Sequence, residues 1–109
     1  MKKFKKVLRF KKWNVIPCVY KYEWHSNNFL VLLNAEDETE CIAQCNAIFD
    51  YELNDEEVVI KDYSENEGML EWLFNNKVIK GYTGFLDNGY VACPIVNLNL
   101  DNFIEINNK

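Results

Sequence analysis

Hydrophobic and polar residues alternate through much of the first half of the chain. Phe4, Leu8 and Phe10 share one parity and Lys3, Lys5, Arg9 and Lys11 the other. This predicts a half-buried strand over 3–11 with a basic outer face. Residues 14–24 repeat the pattern, with Ile16, Cys18, Tyr20, Tyr22 and Trp24 on one side. Pro17 falls among the opposite parity and cannot donate to a ladder, so this strand is expected at an edge or with a bulge. His25-Ser26-Asn27-Asn28 has turn chemistry. It leads into Phe29-Leu30-Val31-Leu32-Leu33, apolar on both faces and so expected as a central strand. Glu36-Asp37-Glu38-Thr39 reads as the next turn. A strand over 40–50 would then place Cys41, Ala43, Cys45, Ala47 and Phe49 on one face, where small side chains let a helix come close.

The period changes after a short apolar segment, Val58-Val59-Ile60. Ser64-Glu65-Asn66-Glu67 has the form of a capping box, serine at N-cap and glutamate at N3, and predicts a helix over 65–76. Met69, Leu70, Trp72, Leu73 and Phe74 form its apolar arc. Gly68 inside it costs about 1 kcal/mol against alanine, which points to close packing at that position. The helix is expected to fray at Asn75-Asn76. Strands over 78–86 and 90–98 flank Asp87-Asn88-Gly89, a hairpin signal. The polar end, 99–109, reads as a flexible tail in which Phe103, Ile104 and Ile106 offer one more strand. Short connections imply antiparallel neighbours. The expected fold is α+β: one domain, a curled antiparallel sheet or small, partly open barrel of six to seven strands, with one helix packed on it.

With 109 residues, 49% of them hydrophobic, the chain can bury one core. No run approaches the ~18 apolar residues of a spanning helix, and the basic N-terminus lacks the apolar stretch of a signal peptide. A cytoplasmic protein without a membrane partner is expected. The four cysteines are separated by 22, 3 and 47 residues, which matches no zinc ribbon or finger; buried free thiols, with no metal or cofactor, are expected.

Charge is segregated. Residues 1–12 hold seven of the twelve basic residues and no acid, whereas residues 23–71 hold fourteen acids and one base, Lys61. That imbalance opposes general nucleic-acid binding, which needs many lysines and arginines to neutralise phosphate. A carboxylate surface made of Glu36, Asp37, Glu38, Glu40, Asp55, Glu56 and Glu57, with Tyr63 and Glu65 beside it, would suit a basic groove on a partner protein. The alternative is a nucleic-acid contact through Lys3, Lys5, Arg9, Lys11 and Trp13. Catalysis would have to come from Asp62, Glu65 or His25. Glu65 and its neighbours are already accounted for by helix capping, His25 falls in an expected exposed turn, and no phosphate-cradling, zincin or nucleophile-elbow motif occurs. A non-enzymatic role is expected, with the oligomeric state left open.

The run Ile60-Lys61-Asp62-Tyr63-Ser64-Glu65-Asn66-Glu67-Gly68-Met69 resembles a family of small uncharacterised proteins carried by phages, plasmids and conjugative elements. The opening is similar too, from Lys5 to Phe10 and through Trp13-Asn14-Val15-Ile16-Pro17 to Tyr20 and Tyr22. So is the close, Gly89-Tyr90-Val91-Ala92-Cys93-Pro94. Cys41 to Asn46 and the acidic loop after it depart from the pattern. The resemblance implies mobile-element origin and brings no catalytic residues. Proteins of that origin often bind a host protein, including components of antiviral defence.

Overall fold

The computed structural model describes residues 1–87 and 89–106. Among the described residues nine strands and one α-helix follow in the order β1 (Lys2–Phe4), β2 (Leu8–Phe10), β3 (Trp13–Tyr22), β4 (His25–Asn34), β5 (Asp37–Gln44), β6 (Glu57–Val59), α1 (Met69–Asn75), β7 (Ile79–Asp87), β8 (Ala92–Leu98) and β9 (Phe103–Glu105). They make two antiparallel sheets. One runs β5-β4-β3-β1-β9, with β2 also on β3; the other is β6-β8-β7. The segment 45–47 laces them together, since Cys45 N–H donates to Leu30, Lys61 N–H to Cys45 and Ala47 N–H to Val59. The fold is α+β, an open, curled arrangement of antiparallel strands with one helix.

Val15, Leu30 and Leu32 from the larger sheet share one core with Val58, Val96 and Leu98 from the smaller, with Ile60 just after β6, and with Met69 and Leu73 from α1. All nine are fully or almost fully buried. The alternation expected near the N-terminus holds in part: Phe4 and Phe10 are buried and Arg9 is exposed. It does so as two short strands instead of one. The break between β1 and β2 lies opposite Ile16-Pro17, because Lys3 pairs with Cys18 and Leu8 with Val15. The strand carrying Pro17 is therefore interior, not an edge; it is its neighbour that is interrupted.

Several expected boundaries move. The turn after β3 is Glu23-Trp24, and His25-Ser26-Asn27-Asn28 is strand. The next turn is Ala35-Glu36, so Asp37, Glu38 and Thr39 belong to β5. That strand ends at Gln44, and the face expected from Cys41 to Phe49 does not form. Leu33 opposes Cys41 while the adjacent Leu32 opposes Ala43, a bulge with Ile42 as the extra residue that puts Cys41 and Ala43 on opposite sides although they are two apart. Cys41 is exposed and Cys45 fully buried. The last strand does form, β9 pairing with β1 and bringing Phe103 edge-on to Phe4 at 5.2 Å, so the expected flexible tail is partly a sheet strand. Residues 107–109 of that tail, and Asn88 of the expected hairpin, lie outside the described residues; β7 and β8 pair through Asp87 and Ala92.

The helix start also differs. Ser64–Asn66 is a single 3-10 turn, Gly68 follows at φ 89, and α1 begins at Met69. Ser64 itself has φ 58 and its side chain caps no amide. The cap comes from Asp62, whose Oδ1 accepts from Leu70 N–H at 2.8 Å. Nothing lies within 4 Å of a Cβ built on Gly68, so its left-handed backbone, not close packing, is what calls for glycine. The other end does not fray. Val78 N–H donates to Leu73 and Lys77 N–H to Phe74, a Schellman closure with Lys77 in the left-handed conformation at φ 61.

Candidate interaction cleft

Tyr20 and Tyr22 at the end of β3, across a register shift in its pairing with β4, and Trp24 in the turn that follows form a row. Tyr20 and Tyr22 stack at 6.4 Å and 17°, and Tyr22 and Trp24 at 5.7 Å and 19°. Phe29, buried on β4, braces the row edge-on, 4.7 Å from Tyr22 and 5.6 Å from Trp24. His25 adds a second edge contact to Trp24, at 5.6 Å, and so a third ring neighbour. Trp24 is nevertheless 67% exposed. A large aromatic side chain held by three ring neighbours and still open to water is preorganised contact area.

Facing this end is the loop that begins at Phe49, and the polar residues that looked like turn chemistry hold it there. His25 Nε2–H donates to the Phe49 carbonyl at 3.0 Å while its Nδ1 accepts from Asn27 N–H at 3.2 Å, which sets the tautomer. Asn27 donates to the Tyr51 carbonyl at 2.5 Å and accepts from Leu53 N–H at 3.0 Å. Asn28 donates to the carbonyls of Asp55 and Glu57 at 2.9 and 3.0 Å. Both asparagines are buried. His25 is thus not the exposed turn histidine expected; it is a half-buried strand residue with both ring nitrogens engaged.

Between hairpin and loop lies a cleft of about 370 Å³ lined by Trp24, His25, Asn27, Asp50, Tyr51 and Glu52, with Ser26. Tyr51 is 55% exposed. No lysine or arginine lines it, and Asp50, Glu52 and the adjacent Glu23 form no ion pair among the described residues. Aromatic faces beside unneutralised carboxylates favour a cation, by quadrupole and by charge.

The residues expected to form one acidic surface are spread over three places. Glu36 lies in the β4–β5 turn; Glu38 pairs with Lys3 at 2.7 Å, Glu40 accepts from Asn34 at 2.8 Å, and Asp37 caps Thr39. The Thr39 hydroxyl, donating at 2.6 Å, and after it the Thr39 N–H hold the Asp37 carboxyl below its usual range. Asp55, in the loop before β6, is paired with Lys21, whose hydrogen bond likewise lowers its pKa. Glu57 accepts from Asn54 N–H, and Glu56 is exposed in the same turn. Glu65 pairs with Lys61 at 2.5 Å, and that bond, with help from its own backbone and Ser64, pulls its pKa to about 2. Tyr63 packs with Val59, Cys93 and Ile95 as a core-edge residue. The pair Lys61–Glu65 borders a cavity of about 510 Å³ together with Lys11 and Cys41.

The basic set is divided as well. Lys3 is committed to Glu38, and Arg9 donates to the Lys11 carbonyl and to Asn14. Lys11 sits over Phe10, and Lys12 over Trp13 at 5.0 Å. Lys5 lies elsewhere, beyond the end of β1. Among the described residues no three His, Cys, Asp or Glu side chains gather as a metal site, and no helix is long and apolar enough to cross a membrane. The acids that line the cleft, Asp50 and Glu52, belong to the acidic run, and nothing in their spacing sets them apart from its other carboxylates. Only the parity of Tyr20, Tyr22 and Trp24 signalled the aromatic row, and nothing local placed Tyr51 opposite it. Comparisons with protein-family models, with curated proteins and with solved structures give no match to this chain.

Proposed function

We propose that the chain is a non-enzymatic interaction domain that docks on a partner protein through the cleft between the β3–β4 turn and the loop beginning at Phe49. The observation carrying this reading is Trp24, exposed yet braced by three rings, facing Tyr51 across Asp50 and Glu52. Exposed aromatic anchors in a desolvated surround dominate protein interfaces. The unneutralised acids select a partner segment rich in arginine or lysine, and they speed its approach. With the mobile-element resemblance, the partner is a host protein of the bacterial cytoplasm, such as a defence component, whose activity is modulated by occupying a basic surface.

The test is retention of a host-lysate protein on immobilised wild type and on Trp24→Ala/Tyr51→Ala, at low and high salt. Expected is a partner held at low salt, released at high salt and not held by the variant. No retained partner at low salt, or one held equally by the variant, refutes it.

One observation favours a second reading. The β2–β3 turn carries Lys11 over Phe10 and Lys12 over the half-buried Trp13, with Arg9 beside it on β2, a basic-aromatic tip suited to single-stranded nucleic acid. Gel shifts with single-stranded and duplex oligonucleotides at two salt concentrations test it; absence of a shift at low salt removes it.

A further inference from the structure

A separate cavity of about 280 Å³ opens where β1 ends, the helix closes and the chain turns into β9. It is lined by Phe4, Lys5, Lys6, Asn76, Lys77 and Asn102. Three of the six carry an ammonium, none carries a carboxylate, and none of the three lysines makes an ion pair among the described residues. On a chain of net charge −5, three uncompensated cations around one concavity are conspicuous. Ammonium groups brought near one another repel, and no carboxylate among the lining residues offsets that.

The backbone around the cavity is firmly held. Lys5 N–H donates to the Asn102 carbonyl at 2.8 Å. The Lys77 carbonyl accepts from the side-chain amides of both Asn99 and Asn102 at 3.0 Å. Those two bonds pin Lys77 in the left-handed conformation, at the position after a helix where glycine is ordinary. The helix dipole favours a cation at that end, which accounts for Lys77 alone. Lys5 and Lys6 belong to no helix; they lie in the break between β1 and β2, both exposed.

We infer that this cavity is an anion site whose guest is a phosphate group, free or as a small phosphate ester. Lysines act as point-charge partners for phosphate, and three can surround its oxygens without the planar fork arginine would impose. The volume falls just under the ~300–1,000 Å³ of drug-sized sites, so the guest is small. The site is independent of the aromatic cleft and shares no residue with it.

The test is titration of the full chain with inorganic phosphate, followed by amide NMR shifts and thermal midpoint, against sodium chloride of matched ionic strength. Saturable shifts centred on Lys5, Lys6 and Lys77, absent in chloride, are expected. Lys77→Gly removes one charge while easing the backbone, so it should fold with an equal or higher midpoint and bind phosphate at least tenfold more weakly. Lys5→Gln/Lys6→Gln should weaken it further. Replacing phosphate by a nucleoside monophosphate separates the sources: tighter binding assigns an ester, equal or weaker binding the free ion. Shifts reproduced by chloride, or a Lys77→Gly variant that binds as wild type, overturn the inference.

Discussion

Replacing Asp62 by alanine removes the one side-chain acceptor at the start of α1. Its Oδ1 meets Leu70 N–H at 2.8 Å, with both residues half-buried, so the amide would keep no protein partner and only partial access to water. Loss of a cap costs about 1 kcal/mol, within a range of roughly 0.5–2. Ser64→Ala should cost no more than about 0.5 kcal/mol, the usual range at a surface position, because that hydroxyl reaches no helix amide. Asp62→Asn, which keeps an acceptor and drops the charge, should fall between them. Gly68→Ala should cost about 1–2 kcal/mol, since its φ of 89 lies where a Cβ is strained. Urea unfolding read by tryptophan fluorescence and by circular dichroism measures these. At about 1–3 kcal/mol per molar, Asp62→Ala should lower the midpoint by roughly 0.3–1 M. Had Ser64 been the cap, the order would reverse. A Ser64→Ala loss equal to or larger than that of Asp62→Ala refutes the assignment.

Three further outcomes follow from individual side chains. Glu65 is pulled by Lys61 to a pKa of about 2, below its ordinary 4.5, so its contribution to stability is present above that ordinary value and is lost as pH falls toward 2. Glu65→Gln should therefore narrow its stability gap from wild type between pH 5 and pH 2.5, and a constant gap would contradict the pairing. Thiol titration should find one cysteine reacting in the native state, Cys41, and the other three only in denaturant; burial also pushes the Cys18 thiol up to about 11 and raises Cys45. A native protein with two or more fast thiols would be inconsistent with the packing. Asn28→Ala strips both hydrogen bonds from the carbonyls of Asp55 and Glu57 and should cost about 1–3 kcal/mol. It should also raise amide exchange over 53–57; unchanged protection there would mean the tether is not what orders the loop.

The central place of β4 follows from side chains apolar on both faces. Parity is a sound guide near the N-terminus even across interruptions: Phe4 and Phe10 are both buried although a break separates β1 from β2, and Tyr20 and Tyr22 stack across a register shift in the β3–β4 ladder. It failed at β5, where a bulge opposite Leu32 and Leu33 reversed the faces, since a bulge carries no composition of its own when no glycine marks it. Turn chemistry failed for a related reason. His25, Asn27 and Asn28 have side chains that serve either their own backbone or a distant one, and the local sequence does not say which. Here they bond carbonyls more than twenty residues away. The capping pattern misled in the same way: Ser64 and Glu67 stand at the right spacing, but Gly68 sets its own left-handed turn between them and the helix, leaving the amide of Leu70 to a carboxylate eight residues back. The same ambiguity hid the candidate cleft. Trp24 was legible as the end of an aromatic face, whereas Tyr51, Asp50 and Glu52 sit opposite it only because asparagines and a histidine on β4 hold that loop. Folding and the proposed docking therefore meet in those side chains, and loosening them should cost partner retention even with every cleft residue intact.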